Sequence, residues 1–127
     1  MKKFYFMMMI TLLIVGCAGN ATHFYNRENW SFRQTEKLFK DVLILTDQAM
    51  ILDKVKPKVP KNKQIMGKAE VKVRVDEDGK VQAVMIKKNI EGMSKELVRA
   101  AKLSKYKKYE TNQGNTRHYV LIVEYRF

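Results

Sequence analysis

The sequence predicts an α+β protein: a three-stranded antiparallel sheet in the order β-β-α-β, with helices on one face and a long amphipathic helix in front of it. Three observations carry this expectation. Val71, Val73 and Val75 alternate with Glu70, Lys72 and Arg74, the period of a strand with one face on a core and one in water. Behind Ser94, the residues Leu97, Ala100, Ala101 and Leu103 recur at helical spacing, and Ser94 is the residue type that caps a helix start. Near the C-terminus Tyr119, Leu121, Val123, Tyr125 and Phe127 fall on one side of the run Arg117 to Phe127, which reads as a long final strand.

Taken in order, the chain starts with Lys2 and Lys3, followed by an apolar run from Phe4 to Val15 interrupted only by Thr11. That run is too short for a bilayer span and reads as the core of a signal peptide over residues 1–16. Ile14, Val15, Gly16 and Cys17 resemble a lipobox, the site where a bacterial lipoprotein is cut before a cysteine that is acylated. The alternative is an ordinary cleavage site with an incidental cysteine. The lipobox reading implies that Cys17 becomes the first residue and is lipidated, palmitate being a typical acyl group, with more than one chain needed for a stable anchor. Cys17 is the single cysteine, so the mature chain is expected to fold without a disulfide. Ala18 in place of an acidic residue resembles lipoproteins sorted to the outer membrane.

Residues 17–34 read as the lipidated N-terminus and a tether, polar with scattered Phe24, Tyr25 and Trp30. Between residues 35 and 56 the pattern turns helical. Leu38, Val42, Leu45, Ala49 and Leu52 form a stripe, with Phe39, Leu43 and Met50 on one flank and Ile44, Ile51 and Val55 on the other. This face is wide for a helix lying on a sheet, so Ile44, Ile51 and Val55 are a candidate interface with another chain; the alternative is a helix that covers its own sheet. Lys37, Lys40, Asp41, Asp47, Asp53 and Lys54 exclude a membrane span here. Pro57 and Pro60 then end the helix and open a C-terminal domain over residues 57–127.

Within that domain the first strand ends at Asp76, Glu77, Asp78 and Gly79, a tight reversal whose glycine is free to take a positive φ. A second β-rich run begins at Lys80. The helix from Ser94 to Ser104 follows, then a polar loop from Thr111 to Asn115 and the final strand. Asp76 and Asp78 also suggest a calcium loop, but the further oxygen donors and closing Glu of an EF-hand are missing, which favours a turn.

This order resembles the C-terminal domain of the TonB energy-transducer family. The resemblance rests on Gly67 before the first strand, on Val75, Asp76, Gly79 and Val81, on Val84, Met85 and Ile86, and on Leu97, Ala100 and Ala101 in the helix. It covers roughly residues 57–127. The family's aromatic-x-proline after the helix is matched in its aromatic by Tyr106 and lacks the proline, since Lys108 stands there. In the family the terminal strand binds a short segment of an outer-membrane transporter by strand addition. Carried onto this chain, the resemblance implies a partner-binding edge at Tyr119, Val120, Leu121, Ile122, Val123, Glu124 and Tyr125. The alternative is that this run is simply a core strand. Family members that transduce energy have an N-terminal transmembrane helix and a long proline-rich span. Neither is read here, so the expectation is an anchored binder.

The charge balance is 25 Lys+Arg against 13 Asp+Glu, a formal +12 that falls to +10 without Lys2 and Lys3. In a cytoplasmic protein this would raise nucleic acid first. Behind an export signal, nucleic acid is excluded as a partner and the opposites become anionic lipid or peptidoglycan carboxylates, unless the basic surface is merely solvated. Lys102, Lys105, Lys107 and Lys108 gather at the helix end, where they offset its dipole or form an anionic docking patch.

Reactive chemistry is scarce. His23 and His118 stand apart, no His, Cys or carboxylate cluster has metal-site spacing, and no phosphate loop or nucleophile elbow is present. The sequence therefore predicts a non-enzymatic protein of the cell envelope without cofactors, lipid-anchored, facing the periplasm, on the outer membrane. It binds an outer-membrane transporter or another envelope protein. The rival is a structural envelope or secretion-complex lipoprotein that assembles through its apolar helix.

Overall fold

The computed structural model describes residues 23–127, so residues 1–16, expected to be a signal peptide, and Cys17 lie outside the described residues. In chain order the elements are β1 (Phe24–Asn26), α1 (Phe32–Lys37), β2 (Ile44–Leu45), a 3-10 turn (Gln48–Met50), β3 (Ile51–Asp53), β4 (Lys68–Val75), β5 (Val81–Lys88), α2 (Ser94–Leu103), β6 (Lys105–Tyr106), β7 (Tyr109–Glu110), β8 (Thr116–Arg117) and β9 (Tyr119–Arg126). The protein is mixed α+β. Its main sheet has five strands in the order β1-β5-β4-β9-β2, not three. The expected three, β5, β4 and β9, form its middle.

β4 and β5 make the hairpin that the alternating valines and the acidic turn predict. Asp76 Oδ1 accepts the backbone N–H groups of Asp78 and Lys80, both at 2.9 Å. Gly79 takes φ +81°, and a Cβ there would lie 3.1 Å from the Tyr106 carbonyl oxygen, so both conformation and space favour glycine. β9 then lies antiparallel to β4 along its whole length, from Lys68 opposite Arg126 to Val75 opposite Tyr119.

On the first face of this sheet Val71, Val73, Val75, Val84, Tyr119, Leu121, Val123 and Tyr125 meet Met93, Leu97, Ala100 and Ala101 at the start and along the inner side of α2. Each fully buried Val or Leu there contributes about 1.5–3 kcal/mol through area removed from water. Two details of α2 differ from expectation. Met93 occupies the cap position without a side-chain bond, while Ser94 is the first helical residue and its hydroxyl accepts from Asn89 Nδ2 at 2.8 Å. Leu103 is exposed instead of lying on the apolar side.

The second face is covered as well. Ala83, Met85, Val120 and Ile122 pack with Phe39, joined by Phe24, Phe32, Leu38 and Val42. Helices therefore flank both faces, not one. The helix α1 that leads into this cover starts from a Ser31 capping box with Gln34, and Asn26 ties it to β1 through Thr35 Oγ1 at 3.2 Å.

The long helix over residues 35–56 is not there. α1 ends at Lys37, Asp41 takes φ +55°, and the stretch beyond it forms β2, one 3-10 turn capped by Asp47, and β3. The apolar spacing that suggested a helix also contains Val42, Leu43, Ile44 and Leu45 in succession, and a short apolar run is ambiguous between strand and helix. Tertiary context settles it: β9 offers an edge that Ile44 and Leu45 pair with, and the apolar side chains of the stretch divide between the two cores. The proposed stripe is consequently divided. Phe39 goes to the second face, while Leu43, Leu45, Met50, Ile51 and Val55 pack against the first.

Candidate recognition edge

β9 presents one side to β4 and the other to residues 43–54. Alternation along the strand directs the amides of Leu121, Val123 and Tyr125 toward β4 and those of Val120, Ile122 and Glu124 the other way. On that outer side Val120 donates its N–H to the Leu43 carbonyl at 2.7 Å, and β2 runs parallel to β9 with Ile44 opposite Val120 and Leu45 opposite Leu121. The backbone then turns away at Thr46 and Asp47.

A side chain takes over where the strand stops. Gln48 donates through Nε2 to the Ile122 carbonyl at 2.7 Å and accepts through Oε1 from the Glu124 N–H at 3.0 Å. One carboxamide thus supplies the donor and acceptor that a neighbouring strand's peptide groups would supply. Its geometry is set locally, because the Asp47 carboxylate accepts from Ala49 N–H at 2.9 Å and holds the 3-10 turn, while Gln48 Nε2 also reaches the Thr46 carbonyl at 2.8 Å. The Lys54 ammonium donates to the Glu124 carbonyl and sits 4.8 Å from the centre of the Tyr125 ring. Burial lowers the pKa of Lys54 from its ordinary value, with the Glu124 charge opposing.

The expected edge residues are therefore not at an open border. Tyr119, Val120, Leu121, Ile122, Val123 and Tyr125 are buried and Glu124 is half-buried. Phe39 and its neighbours cover Val120 and Ile122 on the second face. Glu124 is held below the ordinary carboxylate range, first by its hydrogen bond from Lys68, with burial opposing and the charges of Lys68, Arg126 and Lys54 adding to it. Lys68 Nζ stands 3.0 Å from Glu124 Oε1. Burial pushes the Tyr119 and Tyr125 hydroxyls up to about 12. The Tyr125 hydroxyl has no hydrogen-bond partner among the described residues.

The second candidate interface is not brought together. Ile44 is exposed at the outer edge, whereas Ile51 and Val55 are half-buried against the first core. Gln48 was missed by sequence reasoning because its role depends on where β9 runs, more than seventy positions away; the only local signal is Asp47, a good cap residue, just before it.

A second polar cluster stabilises the hairpin end. Arg27, just beyond β1, donates through Nη1 to Asp76 Oδ2 at 2.6 Å. Burial would raise Asp76, but the hydrogen bonds from Arg27 and from the Lys80 and Asp78 amides outweigh it and hold its carboxyl below the ordinary aspartate range. Both carboxylate oxygens are thus engaged in a turn. Among the described residues no group of three His, Cys, Asp or Glu could hold a metal ion. His118 Nε2 stands 3.7 Å from Glu77 Oε1.

Among the described residues no helix is long and apolar enough to cross a membrane. No protein-family model, curated protein or solved structure matches the chain.

Proposed function

We propose that this chain is a non-enzymatic, periplasm-facing lipoprotein, acylated at Cys17 and held at the outer membrane. Its sheet follows the TonB C-terminal-domain pattern and receives an extended segment of an envelope partner, an outer-membrane transporter or a transport complex, along the outer side of β9. The observation that carries the reading is the makeup of the cover over Ile122 and Glu124: a glutamine amide and a lysine ammonium stand where backbone would. An incoming strand replaces these bonds one for one, without breaking the ladder to β4. The order β4, β5, α2, β9 supports the family pattern. The rival that assembles through an apolar helix loses its basis, because residues 35–56 form no such helix.

The test has two arms. Mass analysis of the protein from membranes reads acylation at Cys17. Photo-crosslinkers at Gln48 and at Lys37 in cells read contact: the reading expects an envelope-protein adduct at residue 48, in competition with a peptide from the captured partner, and none at residue 37. Equal adducts at both positions, or none at residue 48, contradict it.

A further inference from the structure

A groove of about 460 Å³ opens where the end of α2, the β4–β5 turn and the β3–β6 pair meet. Its apolar walls include Tyr25, Leu52 and Leu103, and Leu52 and Leu103 are 63% and 51% exposed. Lys80, Lys102 and Lys105 are its charged lining, and no carboxylate lines it. Lys102 Nζ lies 4.5 Å from the centre of the Tyr25 ring, over its face, so the ammonium sits at the aromatic wall of the groove. Tyr25 also borders a smaller hollow of about 320 Å³ with Phe24, Asn29 and Trp30. Exposed leucines ringed by lysines, with Tyr and Trp alongside, make a surface matched to the headgroup layer of an anionic bilayer.

The position of β1 adds a distance limit. The sequence suggested a tether over residues 17–34, but Phe24–Asn26 pairs with β5 in the sheet. Tyr25 is eight residues beyond Cys17, so fully extended chain separates them by at most about 28 Å at about 3.5 Å per residue. A lipid on Cys17 therefore keeps this groove within a short reach of the membrane that holds the lipid.

We infer that Leu52 and Leu103, with Lys80, Lys102 and Lys105, form a docking face for the anionic surface of the anchoring membrane. This rests on the acylated reading of Cys17 and goes beyond it: the domain lies against its own bilayer through this face. Anchor and face act together, as a single lipid chain plus a basic patch does.

The test uses the processed chain, residues 17–127, carrying Cys17→Ser so that no acyl chain contributes. Binding to vesicles of phosphatidylglycerol and phosphatidylcholine, and to phosphatidylcholine alone, is followed by co-sedimentation and by the emission of Trp30, the single tryptophan. Binding to the anionic vesicles is expected, with a blue shift of Trp30 and little binding to the neutral ones. The triple variant Lys80→Gln, Lys102→Gln, Lys105→Gln is expected to lose about a hundredfold, at about fivefold per lysine. The pair Leu52→Ser, Leu103→Ser is expected to lose at least about tenfold through lost apolar contact. The control Lys37→Gln, Lys40→Gln, Lys72→Gln on the opposite face should change binding by less than about threefold.

Equal loss from the control triple would overturn the inference in favour of diffuse basic charge, and equal binding to neutral vesicles or no binding at all would overturn it outright. Acylation of Cys17 is read separately by mass. An acylated protein whose unacylated form ignores vesicles keeps its anchor and loses this face; an unacylated protein that binds them keeps the face and loses the anchor.

Discussion

The two sides of β9 are held very differently. Toward β4 it has an eight-residue backbone ladder laid over a continuous apolar core; toward residues 43–54 it has two residues of parallel strand, one glutamine and one lysine. A ladder of that length opens only when the core opens. The other side is held by a half-buried segment whose Leu43, Leu45, Met50 and Ile51 pack at the margin of the core and whose Gln48 and Lys54 lie outside the fully buried set, so it opens at lower cost than the ladder. The contrast identifies a permanent side and an exchangeable side of the same strand, and it can be attacked from either.

The largest effect belongs to the permanent side. Leu121 is fully buried in the first core, and Leu121→Ala should cost about 2–5 kcal/mol of stability through lost burial and the cavity left behind. Urea unfolding measures this. A loss under about 1 kcal/mol would mean that the core relaxes around the site and that the ladder is not the rigid partner.

Next comes the hairpin clamp. Asp76→Asn weakens the bonds to Arg27 and to two backbone amides, with an expected loss of about 1–3 kcal/mol near neutral pH. The sign of its pH dependence follows from the lowered pKa of Asp76. Because the folded carboxyl titrates below the unfolded one, its contribution is fully present above about pH 4 and is lost as pH falls through the folded pKa. Wild type should therefore lose more stability than the variant as pH falls below about 4, and parallel curves would remove Asp76 from this role.

Smaller effects are expected on the exchangeable side. Gln48→Ala should lower stability by about 1 kcal/mol, leave the fold intact by circular dichroism, and raise the yield of partner contact. Unchanged contact in a folded, destabilised variant would make Gln48 structural alone. Lys54→Met removes a bond to the Glu124 carbonyl and the contact with Tyr125; the expected change is about 0.5–1 kcal/mol in the same urea assay. A Lys54 effect larger than that of Gln48 would reverse their ranking as cover.

Legibility in the sequence divides along the same line. Val71, Val73 and Val75 announce β4 because a strand that faces one core must alternate, and the acidic turn with Gly79 announces the hairpin because few residues tolerate that backbone. Leu97, Ala100 and Ala101 mark α2 for the same local reason. Residues 38–55 carried a helical stripe, yet their structure is dictated by the edge of β9 and by the second face around Phe39, neither of which is local to them. The burial of Val120 and Ile122 was not legible, because the pattern of β9 cannot show that a distant Phe39 covers them. The role of Gln48 was invisible for the same reason, and the pairing of Arg27 with Asp76 had no signal beyond two opposite charges.

The most direct test of the two-sided strand is native-state hydrogen exchange at adjacent amides, Val123 facing β4 and Glu124 facing Gln48. After correction for intrinsic rates, the account predicts that Glu124 exchanges at least about a hundredfold faster, through an opening about 2.7 kcal/mol easier than the one that exposes Val123. Equal protection at the two positions would mean that residues 43–54 leave only when the whole protein unfolds, and the outer side of β9 would then be no site for a partner.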